Sequence, residues 1–66
     1  METAQIFQIG QNLIREYTLQ IKEAEASIRQ TYAEGMHTNV DSERERIKLF
    51  EARRGAVARF LSLITE

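Results

Sequence analysis

The sequence has no cysteine, no proline and no tryptophan, and it has a single histidine. Without cysteine there is no disulfide and no thiolate metal site. With only His37, a histidine cluster is excluded as well. The missing proline removes the strongest helix breaker. Charge of one sign is also lacking: nine Lys and Arg against ten Asp and Glu leave a formal net charge of −1. That balance argues against a general nucleic-acid binder, which is normally much more basic. No run approaches the ~18 apolar residues of a membrane span. The stretch Met1 to Gln5 is acidic rather than basic and does not read as a signal peptide. These absences together predict a cytoplasmic protein.

What remains is a chain of 66 residues, one small domain. A chain of this size buries only about 60% of its unfolded surface and is marginal alone. Small scaffolds are usually stapled by disulfides, a metal or a partner. The first two are excluded here, so the sequence predicts association.

The spacing of apolar residues is helical. Phe7, Ile14, Ile21 and Ile28 recur every seven positions, each followed three later by Gly10, Tyr17, Ala24 or Thr31. Large residues thus stand at one heptad position and mostly small ones at the other. Ile6 and Leu13 widen the stripe early; Gln20 and Ser27 replace them later. Thr3 is the expected N-cap, Gly35 the C-terminal stop, and Glu25 with Arg29 an i,i+4 ion pair. A second helical pattern joins Ile47, Phe50, Arg54, Val57, Leu61 and Ile64, flanked by a stripe of Leu49, Ala56, Phe60 and Leu63. Ser42 followed by Glu45 is a capping-box signature, with Asn39 or Asp41 as neighbouring alternatives for the start. Gly55, inside this second pattern, is either a site of close helix approach or a tolerated defect.

The prediction is an all-α fold: an antiparallel two-helix hairpin with helix 3–34, turn 35–41 and helix 42–65, completed by self-association or a helical partner. A turn centred near residue 38 places Ile28 near Lys48, Ile21 near Gly55 and Ile14 near Leu61. Ile6, Phe7 and Ile9 then overhang the end of the second helix. Both apolar faces widen at this open end, so Ile6, Phe7, Leu13, Phe60, Leu61 and Ile64 are the expected protein interface. Ile21 and Ile28 against Phe50 and Val57 form the expected intramolecular seam.

Nothing in the sequence points to catalysis. His37 stands alone in the turn, and no Ser or Thr has a base and an orienting acid nearby. Glu43, Glu45 and Glu51 alternate with Arg44, Arg46 and Lys48, which suits a solvated surface rather than metal ligation. Gly10, Gly35 and Gly55 are too far apart for a phosphate loop. No enzyme activity, cofactor or metal is expected. Residues 56–64 contain only Arg59 as a cation, unlike a membrane-surface helix. The alternative to protein binding is a homodimeric four-helix bundle of the ROP type. It would bind RNA or another nucleic acid through the arginines of the second helix, with Arg53 and Arg54 as contacts. Arg54 lies on the apolar stripe, where its stem can pack while its head reaches water.

Ala26, Arg29, Ala33 and Gly35 follow the pattern A-x-x-R-x-x-x-A-x-G, Phe50-Glu51 stands where a Leu-Glu pair is usual, and Gly55 lies four residues beyond the Glu. In these features, and in its terminal Leu63-Ile64-Thr65-Glu66, the chain resembles the small co-chaperones of type III secretion systems. Val40 and Asp41 occupy the place of an aromatic–Gln pair found in that family. The resemblance implies a helical hairpin that binds a tetratricopeptide-like chaperone. Together the two would hold a needle subunit monomeric in the bacterial cytoplasm.

Overall fold

The structure, a computed structural model, describes residues 2–35 and 40–65. It contains two helices, α1 (Thr3–Ala33) and α2 (Asp41–Ile64), packed side by side as the expected all-α hairpin. The expected turn residues Met36, His37, Thr38 and Asn39 lie outside the described residues.

The helix ends differ in detail from the sequence reading. Thr3 is the first helical residue, not the cap. Glu2 takes the N-cap place with extended backbone, and its N–H donates to Gln5 Oε1 at 3.1 Å. This is the return arm of a capping box, which Gln three residues on can supply as well as Glu. At the other end Glu34 is the C-cap, and Gly35 follows with φ 72°, donating its N–H to the Tyr32 carbonyl at 3.0 Å. Gly35 is therefore the left-handed stop, a conformation that a Cβ would strain. Ser42 and Glu45 do not form the start of α2. The helix begins at Asp41, and the Val40 carbonyl accepts the first bond, from Arg44 N–H at 3.0 Å. Val40 makes no side-chain cap; it is buried instead. Asp41 and Glu43 in the first turn complement the positive end of the helix dipole.

The seam follows the two heptad stripes. On α1, Gly10, Ile21 and Ala24 are buried, and Ile14, Tyr17, Ile28 and Thr31 are half-buried. On α2, Leu61 is buried, with Ile47, Phe50, Arg54, Val57 and Ile64 half-buried. Tyr17 and Phe50 stack across the seam at 5.8 Å between ring centres. Arg54 does not pair with Glu51. Its guanidinium donates to the Thr18 hydroxyl at 3.2 Å, and that hydroxyl donates to the Ile14 carbonyl at 2.8 Å. Nearer the turn, Arg44 donates to the Tyr32 hydroxyl at 2.9 Å. Among the described residues Glu25 and Arg29 form no ion pair, whereas Glu43 and Arg46 approach to 3.7 Å.

The register is displaced from the sequence expectation. Leu61 lies against Gly10, not Ile14, and Arg54 reaches Thr18. A Cβ built on Gly10 would meet Leu61 Cδ2 at 2.5 Å. Leu61 thus fills a notch that exists because residue 10 has no side chain. Helix α2 consequently reaches about one turn further along α1 than a hairpin pivoting at residue 38 would bring it. Ile6 and Ile9 do not overhang; both stand opposite α2. Gly55 is exposed with nothing within 4 Å of an added Cβ, so it marks no close approach.

The two internal glycines therefore answer oppositely to substitution. Gly10→Val forces Leu61 out of its notch and lowers stability by about 1–3 kcal/mol, the usual cost of overpacking. Gly55→Ala removes a helix-interior glycine in open space and raises stability by about 0.5–1 kcal/mol. Thermal unfolding followed by circular dichroism at one fixed chain concentration separates the two signs.

Candidate functional site

The two helices do not close over each other at the open end. Between them lies a cleft of about 380 Å³, lined by Ile6, Ile9, Gly10 and Leu13 of α1 and Ala56, Val57, Phe60 and Leu61 of α2. Every lining residue is apolar. The floor is the Gly10–Leu61 contact, because that notch draws the backbones together. The walls come from the next residues around each helix: Ile6, Ile9 and Leu13 on one side, Ala56 and Phe60 on the other. In an antiparallel pair these positions share one flank of the hairpin.

The walls are open to solvent. Phe60 is 51% exposed, Ile9 48% and Leu13 39%. Leu63 at 63% and Leu49 at 47% continue the apolar surface along the outside of α2. This is the second stripe of that helix, left largely exposed by the described residues.

Six residues are expected at a protein interface, and the structure distributes them unevenly. Ile6, Leu13 and Phe60 line the cleft walls. Leu61 lies in the cleft but is only 4% exposed, so it supports the site from below and offers a partner almost no surface. Ile64 is half-buried at the end of α2. Phe7 is 36% exposed and does not line the cleft; helical spacing turns it to the opposite flank. Ile9 and Ala56 belong to the walls, although neither is among the expected contacts. Ile9 is apolar and close to Ile6, but the expected overhang concealed that it faces α2. Ala56 is too small to announce itself.

The expected nucleic-acid contacts, Arg53 and Arg54, differ in their surroundings. Arg54 is half-buried and bonded to Thr18, whereas Arg53 is exposed. Adjacent residues on a helix diverge by more than a quarter turn, so one lies on the flank opposite the cleft and the other on the cleft flank. Among the described residues no group of three or more His, Asp or Glu could hold a metal ion. No helix of the described residues is long and apolar enough to cross a membrane.

An open apolar cleft of this kind takes up an apolar reporter dye. The isolated chain is expected to enhance anilinonaphthalene sulfonate fluorescence while keeping its helical circular dichroism, and Leu13→Ser with Phe60→Ser to reduce that enhancement severalfold. Unchanged dye fluorescence in the double variant would mean that the cleft is already occupied or closed in solution. Comparisons with protein-family models, curated proteins and solved structures find no match for this chain.

Proposed function

We propose that this protein is a non-catalytic binding module that lays its open-end cleft against a helical protein partner. The observation that carries this reading is the cleft itself, apolar throughout and walled by exposed Ile9, Leu13 and Phe60. Surface area supports it. A compact protein of 7.7 kDa exposes about 4,300 Å² by the usual size scaling, whereas this chain exposes 5107 Å². The excess, about 800 Å², is what one partner loses in an interface of standard size. Burying a phenylalanine side chain contributes about 1.5–3 kcal/mol, so covering Phe60 and its neighbours drives association.

The partner chemistry is that of an amphipathic helix, whose apolar side chains would enter the cleft at helical spacing. The resemblance to type III secretion co-chaperones gives this reading its specific form. The partner is then a tetratricopeptide-like chaperone, stabilised in the bacterial cytoplasm while it holds a needle subunit. A second copy of the chain is the competing occupant, and would yield a four-helix bundle.

Two substitutions separate the interface from the seam. Phe60→Asp places a charge on a cleft wall and leaves the seam intact. It is expected to abolish partner binding while retaining most of the helicity. Ile21→Asp buries an unpaired charge in the seam at a cost of about 3–5 kcal/mol, comparable with the whole stability of a small domain, and is expected to unfold the hairpin. Sedimentation, circular dichroism and calorimetric titration with a tetratricopeptide-like chaperone from the same cell test both. A 1:1 complex lost in Phe60→Asp supports the reading. A pure chain that sediments as a stable dimer, with Phe60→Asp a monomer, assigns the cleft to a second copy and overturns it.

A further inference from the structure

The flank opposite the cleft has a different composition. Helical spacing and the cross-seam bonds from Arg44 to Tyr32 and Arg54 to Thr18 define it. It carries Arg15, Lys22 and Arg29 of α1, seven residues apart, and Arg44, Lys48 and Arg54 of α2. These are six of the chain's nine cations. Glu25 and Glu51 interrupt the strip, and Asp41 stands at its turn end. Six positive charges less three negative leave an excess of three on one flank of a protein whose net charge is −1.

Among the described residues the ion pair of Glu43 with Arg46 involves no cation of this flank. Arg44 and Arg54 donate to neutral hydroxyls, and among the described residues neither Glu25 nor Glu51 comes within ion-pair distance of a cation. Five of the six are exposed, and Arg54 is half-buried. On the cleft flank, by contrast, Arg46 approaches Glu43 at 3.7 Å. The overall charge therefore conceals a segregation of charge across the rod.

We infer that this strip binds the phosphate backbone of a nucleic acid, independently of the cleft. Three features select a polyphosphate over an acidic protein surface. The strip has almost no exposed apolar side chain at its centre, whereas a stable protein interface has an apolar, charge-depleted core. Nucleic-acid interfaces are polar and strongly positive. Four of the six cations are arginines, whose planar guanidinium matches phosphate in a bidentate fork. Arg15 to Arg29 spans about 20 Å, the axial length of about six phosphates of one strand. Repetition every two turns suits a continuous polyanion better than a single phosphate group. The contacts involve backbone only, so the binding carries little sequence preference.

The test uses the full chain and fluorescence anisotropy with two labelled probes of about 20 nucleotides, a single-stranded RNA and a DNA duplex, in about 50 mM salt. Binding is expected to weaken steeply as salt rises, with a slope of about −0.7 per phosphate contact for the single strand. Lys22→Glu with Lys48→Glu alters two exposed residues that make no side-chain hydrogen bond or ion pair among the described residues. It is expected to weaken binding at least about tenfold and to flatten the salt slope by about two. Arg46→Glu with Arg53→Glu makes the same change of charge on the cleft flank and is expected to stay within about threefold of the parent. Circular dichroism establishes that both variants remain helical, and Lys22→Ala with Lys48→Ala repeats the test should charge reversal unfold the chain. No binding of either probe at low salt, or equal loss in the two double variants, overturns the proposal. So does tighter binding of polyglutamate than of either probe, which would assign the strip to an acidic protein surface. Phe60→Asp is expected to bind the probes normally, so loss of the cleft's partner and loss of nucleic acid are read separately.

Discussion

The contact between Leu61 and the bare backbone at Gly10 sets the geometry of the whole hairpin. There a side chain of α2 reaches into the space that a Cβ on α1 would fill, because one residue has no side chain and the facing one has a branched one. From it follows the register, with α2 drawn along α1 until Arg54 meets Thr18. From the register follows the cleft, because Ile6 and Ile9 come to stand opposite α2 instead of projecting beyond it. A larger residue at position 10 would hold the helices apart and blur all three consequences at once.

Around this point the molecule is a rod rather than a ball. It measures 50 × 15 × 14 Å, with a radius of gyration of 15.4 Å, against about 11 Å for a compact domain of this length. Two helices side by side enclose very little. Among the described residues the buried apolar ones are Ile21, Ala24, Val40 and Leu61, and none is completely covered. Such a core is thin for independent stability. Its two flanks carry separate chemistries, one apolar at the open end and one cationic along its length. A hairpin is well suited to this division, since each helix contributes one edge to either flank.

Much of the fold is legible in the sequence because helical periodicity is a local signal. The heptads through Ile14, Ile21 and Ile28, and the stripe from Ile47 to Ile64, name the covered side of both helices. Gly35 gives the stop, since few residues adopt its positive φ readily. The register is not legible by the same means. It depends on which side chain enters the notch at Gly10, a contact across 51 positions of sequence, and a turn length alone does not determine it. The cleft is legible as an excess of apolar residues but not as a list of walls. Leu61 and Phe60 are adjacent and equally apolar, yet one forms the floor and the other a wall. Arg53 and Arg54 show the same thing: neighbours in sequence fall on different flanks. The basic strip draws half its residues from α1, so a scan of α2 alone does not find it.

The cross-seam hydrogen bonds of Arg44 and Arg54 both lie on the cationic flank. The cleft flank is held by dispersion contacts at its floor. Among the described residues, cross-seam hydrogen bonds thus lace the hairpin along one margin only. Widening the mouth of the cleft leaves the two guanidinium bridges in place and swings the helices apart like covers on a spine. The elasticity of the rod is therefore directional: compliant where apolar side chains enter, stiff along the margin where the positive charges must keep their spacing.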